Sequence, residues 1–245
     1  MKMKTKIRIF PLAIMGVFLI LASSCYKPVN MNLNSNPGIN PTPTPDRVTD
    51  IDGNVYHTVT IGSQVWMKEN LRVTHYSNGD LIWNVTQSSK WIILKTSAYC
   101  NYANNPNIYF SYGRLYNWYA VHDPRNIAPN GWHVATDDEW TTLSNYLGGN
   151  DTAGGQLKEA GDAYWPSPNT GATNSSGFTA LPTGYRTNDG SYTAWGYVTF
   201  WWTSTPTNDS LSGWYRNVGY NYDSIGHGTI EKYYGFSIRC VMDGK

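Results

Sequence analysis

The pattern of apolar and polar positions changes character twice along the chain. Residues 9–22 run without a charge and are almost wholly apolar, behind a basic opening of Lys2, Lys4, Lys6 and Arg8. Fourteen residues fall short of the roughly 20 that span a bilayer. The pattern is that of a signal-peptide hydrophobic segment. Residues 26–47 then lose all apolar periodicity and are rich in Asn and Pro, ending in Pro41-Thr42-Pro43-Thr44-Pro45. Alternating Pro favours extended polyproline II, so this stretch predicts a stalk.

From residue 48 the pattern is that of a folded domain. Residues 54–61 read as a strand, Gly62-Ser63 as a turn and Gln64-Val65-Trp66-Met67 as a return strand, predicting an opening hairpin. Asn78-Gly79-Asp80 is a turn signal, followed by a stretch of uncertain form that contains Trp83 and Trp91. Leu115, Trp118 and Tyr119 have i, i+3, i+4 spacing and predict a helix over 113–121. Thr136-Asp137-Asp138-Glu139 is a capping box. Trp140, Leu143 and Leu147 continue one helical face, and Gly148-Gly149 ends it. A short third helix is predicted over 155–160, then strands over 197–204, 213–218 and 230–241, with a break near Gly235. Helices in mid-chain between groups of strands predict an α+β fold.

The apolar leader ends in Leu21-Ala22-Ser23-Ser24-Cys25. This resembles a bacterial lipobox, with Ser24 where Gly or Ala is commoner. The resemblance implies cleavage before Cys25, lipidation of Cys25 and anchoring to the cell envelope, with the outer membrane as the expected site. Several acyl chains hold firmly where one is marginal. The expected layout is a lipoprotein signal peptide at 1–24, a stalk at 25–47 and one domain at 48–243. The whole chain carries 18 Lys and Arg against 17 Asp and Glu, net +1. Removing the four basic leader residues leaves 14 against 17, net −3. A mildly acidic exported chain argues against nucleic acid as a partner.

With Cys25 lipidated, Cys100 and Cys240 remain. Export permits a disulfide between them; the sequence leaves open a bridge or two separate buried thiols.

Several motifs occur in order over about 190 residues. They are Ile61-Gly62-Ser63-Gln64-Val65-Trp66-Met67-Lys68-Glu69-Asn70-Leu71, Tyr112-Gly113-Arg114-Leu115-Tyr116-Asn117-Trp118, Gly131-Trp132-His133-Val134-Ala135-Thr136, Gly177-Phe178-Thr179-Ala180-Leu181-Pro182 and Tyr234-Gly235-Phe236-Ser237-Ile238-Arg239-Cys240-Val241. Together they resemble the Fibrobacter succinogenes major paralogous domain family. That family often has Cys before the opening Trp, whereas this chain has Val65, so no disulfide carries over through that site. A more distant resemblance, through Thr136 to Trp140 and the late Gly-Phe-x-x-Arg, is to formylglycine-generating enzymes. It implies a loop-rich fold related to C-type lectin-like domains, with two or three short helices on twisted antiparallel strands. Fold alone does not imply function. The oxidase chemistry of those enzymes needs a thiol pair, and no late motif here carries two thiols.

Catalytic signatures are sparse. Asp137, Asp138 and Glu139 occupy a helix first turn, where negative charge suits the dipole. His57 and His133 read as packed or hydrogen-bonded side chains, and Arg186 and Arg239, beside aromatics, as buried ties between loops. No catalytic residue is assigned. Loop oxygens around Asp189 and Asp209 offer hard ligands for calcium, and both are also ordinary turn sequences. Aromatic residues make up 15% of the chain. Most must be core, but Tyr192, Trp195, Tyr220 and Tyr222 lie in Gly- and Asn-rich segments. They are the candidate ligand-binding rings, able to stack on sugar C–H faces. The leading expectation is a non-catalytic envelope-binding module for a glycan or a protein partner. The alternatives are an enzyme with an unrecognised site and a purely structural surface lipoprotein.

Overall fold

The opening hairpin forms where the alternation places it. In the computed structural model, which describes residues 44–244, β1 (Arg47–Thr49) leads into β2 (Val55–Ile61) and β3 (Gln64–Met67). The predicted leader, Cys25 and most of the predicted stalk lie outside the described residues. The stalk's last positions already belong to the folded unit: Arg47 pairs with His57, and the Asp46 carbonyl accepts from the Thr58 amide at 3.0 Å.

Among the described residues the chain continues through β4 (Trp83–Asn84), α1 (Ser88–Trp91), β5 (Ala98–Cys100), α2 (Tyr109–Tyr112), β6 (Leu115–Tyr116), α3 (Trp118–Val121) and β7 (Trp132–Val134). Next come α4 (Asp137–Tyr146), α5 (Asn150–Leu157), β8 (Tyr185–Arg186) and β9 (Tyr192–Thr193). The last elements are β10 (Val198–Pro206), β11 (Ser212–Gly219), β12 (Gly226–Glu231) and β13 (Cys240–Met242). The result is a sheet-rich mixture of α and β structure with few, short helices. One sheet has the order β1-β2-β3-β13-β7, and a second, β10-β11-β12, is fully antiparallel and bulged between Trp202 and Pro206.

The last strand therefore sits inside the first sheet, between β3 and β7. Its two faces serve different cores, as the period-2 geometry of strands requires. Val65, Met67 and Cys240 join one apolar cluster with Trp202 and Phe236. Trp66 and Val241 join another with Trp140, Phe178 and Trp201. Adjacent Trp201 and Trp202 in β10 divide in the same way.

The capping box forms as predicted. Thr136 Oγ1 accepts from the Glu139 amide at 3.2 Å, and Glu139 Oε2 accepts from the Thr136 amide at 2.8 Å. Gly148 and Gly149, at φ +93° and +99°, end α4.

Three predictions are corrected. Over 113–121 only α3 is helical; Leu115 and Tyr116 instead pair with Cys100 and Tyr99, and Asn117 separates strand from helix by accepting from the Ala120 amide. The helical spacing there is a coincidence of strand and helix burial. The third helix spans Asn150–Leu157, starting directly after Gly149. The single broken strand over 230–241 is two strands in two different sheets.

Candidate functional site

Four of the five motifs meet around one buried amide. Asn70 Oδ1 accepts from Arg239 Nε at 2.6 Å and from Trp201 Nε1 at 2.9 Å, while Asn70 Nδ2 donates to the Tyr112 carbonyl at 2.9 Å. Arg239 also donates to the carbonyls of Met67 (2.8 Å) and Phe178 (2.9 Å), and its guanidinium lies 4.2 Å from the Phe178 ring centroid. Burial pushes this guanidinium down to about 9, and it stays charged at neutral pH. Asn70 also explains Gly113. A Cβ there would stand 2.5 Å from the Asn70 Cβ, and the backbone at φ +80° already favours glycine.

This hub holds the backbone of Tyr112, whose ring reaches the surface site. The Trp195 ring lies 4.3 Å from Tyr112 and 4.8 Å from Tyr102, centroid to centroid. Tyr164 meets Tyr112 edge-on at 6.2 Å. Trp195 sits on a tight turn between Ala194 (φ +57°) and Gly196 (φ +82°), closed by a Tyr197 amide bond to the Ala194 carbonyl at 3.1 Å. A left-handed alanine is uncommon, and such strain concentrates at ligand sites.

Beside the turn lies an open cleft of about 320 Å³, lined by Asp162, Tyr164, Pro166, Trp195, Gly196 and Tyr197 over buried Trp165. Tyr164 and Tyr197 are 42% and 52% exposed, so their rings are presented to solvent. Tyr220 extends the row, with its ring 5.2 Å from Tyr197. Asp162 is the one charged residue in the cleft lining. The site therefore offers ring faces and a carboxylate acceptor, and repels anions.

The four rings read from sequence thus divide. Trp195 lines this cleft, whereas Tyr220 packs partly buried against the Trp66–Trp140–Trp201 cluster and meets only Tyr197 of the lining. Tyr192 is half-buried and packs within the fold: its hydroxyl donates to Asn104 Oδ1 at 2.8 Å and its ring covers the Arg186 guanidinium. Tyr222 packs against Gly219, and its hydroxyl accepts from Asn217 Nδ2 at 2.6 Å. Nothing local marks Tyr112 and Tyr164, which come from distant segments, whereas Tyr197 stands two residues after Trp195 on the same turn.

The remaining candidates are engaged by their neighbours. The Cys100–Cys240 bridge is not formed. Both are free, buried thiols in different apolar clusters, with their pKa values pushed up by burial. Asp189 accepts from the Ser191 amide at 2.9 Å, and Asp209 from the Leu211 amide at 2.9 Å and Ser212 Oγ at 2.6 Å. Each carboxylate thus closes its own turn. Among the described residues no group of three His, Cys, Asp or Glu side chains could hold a metal.

Arg186 donates to the carbonyls of Val85, Thr86 and Gly190 and stacks on Trp91, as a tie between loops. Asp137 pairs with Arg216 and His227. His57 pairs with Glu69. His133 lies between Glu139 (2.8 Å) and Asp243 (2.6 Å), and chiefly the Glu139 bond raises it to about 9. Burial opposes ionisation of Glu139, yet the bonds from His133 and Thr136 hold its carboxyl below the usual range.

Residues 59–242 match the Fibrobacter succinogenes major domain. The chain belongs to that family. In this Fibrobacter succinogenes major domain, the matched span includes the Asn70 hub, the Trp195 turn and the cleft. No curated protein and no solved structure shows a match.

Proposed function

We propose that the protein is a lipid-anchored component of the bacterial cell envelope whose domain is a non-catalytic glycan-binding module. The observation that carries the binding reading is the Trp195 turn. It holds an indole over Tyr112 beside an open cleft walled by Tyr164 and Tyr197. Flat rings stack on the C–H faces of pyranoses, and Asp162 accepts from their hydroxyls. A carboxylate without a cation in the lining favours neutral sugars.

The finer fold reading, a C-type lectin-like domain related to formylglycine-generating enzymes, draws support from the curled antiparallel sheets and the few short helices. It is consistent with ligand recognition by long loops. The anchor reading rests on the leader and on Cys25. Among the described residues no helix is long and apolar enough to cross a membrane.

Two experiments test the proposal. A glycan array probed with residues 44–245 should show neutral-glycan binding that Trp195→Ala removes while the variant still melts cooperatively; an array without signal refutes the binding reading. Metabolic labelling with a radiolabelled fatty acid should tag the full chain and not Cys25→Ser. Equal labelling of both refutes the anchor.

A further inference from the structure

The two edges of the β10-β11-β12 sheet differ. Along β10 other segments complete the ladder. The Gly184 amide donates to the Val198 carbonyl at 2.8 Å, the Ser237 amide to the Phe200 carbonyl at 3.0 Å and the Trp202 amide to the Ser237 carbonyl at 3.1 Å. On the far side, among the described residues, β12 pairs only with β11. None of its six residues is buried. Protein sheet edges are ordinarily short, or blunted by Pro or Lys. β12 contains neither residue, and the outer strands of the five-stranded sheet, β1 and β7, span only three residues each.

The register shows which backbone groups are free. The Lys232 amide donates to the Leu211 carbonyl at 3.0 Å, continuing the pairing that sets Ile230 opposite Gly213. Hydrogen-bonded pairs alternate in an antiparallel ladder, so Gly226, Gly228 and Ile230 turn their backbone groups to β11. His227, Thr229 and Glu231 turn theirs outward, and their amides have no acceptor among the described residues. Of their carbonyls only that of Glu231 is engaged, by the Tyr234 amide at 3.1 Å, and it keeps a second lone pair.

The sequence of this edge selects its partner. A second copy laid antiparallel, with Thr229 on the two-fold axis, sets Thr229 opposite Thr229 and His227 opposite Glu231. Every outward amide of both copies then finds a carbonyl. Thr–Thr is a favourable cross-strand pair, and like charges directly opposite are unfavourable. An axis at Glu231 sets Glu opposite Glu, and an axis at His227 sets Glu231 opposite Asp223. An axis at Gly228 or Ile230 sets Glu231 opposite Ile225 or His227 opposite Tyr233. Only the Thr229 axis pairs all three outward residues well, a match that an arbitrary foreign strand lacks.

We propose that β12 is a dimerisation edge, through which two copies of this chain pair antiparallel about Thr229 and join their sheets into one of six strands. The contact is the same patch on both copies and therefore closes at two. An edge-only contact lies at the small end of specific interfaces, below about 1,200 Å², so the dimer is a reversible one. It does not depend on the glycan reading.

Cysteine crosslinking of the full chain tests this. Cα atoms of a hydrogen-bonded antiparallel pair stand about 5.5 Å apart, within disulfide reach. Under mild oxidation Thr229→Cys should run as a disulfide-linked dimer on non-reducing electrophoresis, above the background of wild type, whose Cys100 and Cys240 are buried. The two Glu231 positions would lie roughly 14 Å apart along the strands, so Glu231→Cys should crosslink at least about tenfold less. His227→Cys/Glu231→Cys should crosslink as readily as Thr229→Cys. Adding Thr229→Pro to that pair removes the central outward N–H and leaves the β11 ladder intact, and should cut its crosslinking at least about tenfold. No dimer from Thr229→Cys, equal crosslinking by Glu231→Cys, or a double variant unaffected by Thr229→Pro would each overturn the proposal.

Discussion

Trp201 and Trp195 are six residues apart in sequence and do opposite work. Trp201 is fully buried among Trp140 and Phe178, with its indole N–H satisfied by Asn70. Trp195 stands on a strained turn at the surface, with one side packed on Tyr112 and Tyr102 and the other facing the cleft. The difference lies in the flanking backbone. Trp201 follows the alternation of a regular strand, whereas Trp195 is lifted out by left-handed residues on both sides. A high content of aromatic residues is therefore two populations. One closes the core through the family motifs, and the other is presented by loops that this core holds in place.

The largest effect expected from this contrast is in the core. Trp201→Ala should destabilise the domain by about 3–5 kcal/mol, as for other large core truncations. It also leaves one of the two bonds to Asn70 Oδ1 unmade. Urea unfolding followed by fluorescence measures it, and a cost below about 1 kcal/mol would erase the distinction between the two tryptophans.

A pH series gives a smaller and more selective separation. The folded state raises His133 from 6.5 to about 9. A raised pKa stabilises fully below the unfolded value and is lost as pH climbs through the folded value. Stability should therefore decline between about pH 6.5 and 9. The ring is 34% exposed, so solvent screening reduces the effect to on the order of 1 kcal/mol. His133→Gln should remove this slope, while glycan binding at the cleft stays flat over the same window. A slope that survives in the variant would assign the titration elsewhere.

The smallest effect is at the cleft's carboxylate. Asp162→Asn keeps an acceptor but loses its charge, and should weaken neutral-glycan binding about threefold, in the range of a charge-assisted bond against a neutral one. Isothermal titration reads it. Stability should not change, since Asp162 is exposed.

Much of the core was legible in the sequence because its signals are local. The hairpin around Gly62, the Thr136–Glu139 capping box and the glycine stop at 148–149 each depend on residues within a few positions. The burial of Leu115 follows from pairing with Cys100 and contact with distant segments, and its helical spacing from Trp118 and Tyr119 is incidental. The position of β13 inside the first sheet depends on partners more than a hundred residues away, and no local pattern encodes it.

The candidate site was legible to the same limited degree. Trp195 stood out through its Gly-rich loop. Its neighbours Tyr112 and Tyr164 come from segments whose proximity only the folded chain creates. Tyr222 carries the same loop signal, but its hydroxyl is held by Asn217 and its ring packs on Gly219.

The most direct test of the central claim is affinity electrophoresis of wild type and Trp195→Ala in gels containing the neutral glycan selected from the array, with the melting temperature of each recorded. The account predicts that the variant still melts cooperatively, at a temperature lowered by the lost contacts with Tyr112 and Tyr102, and migrates as in a glycan-free gel, a loss of about tenfold or more in affinity. Undiminished retardation of the variant would contradict it.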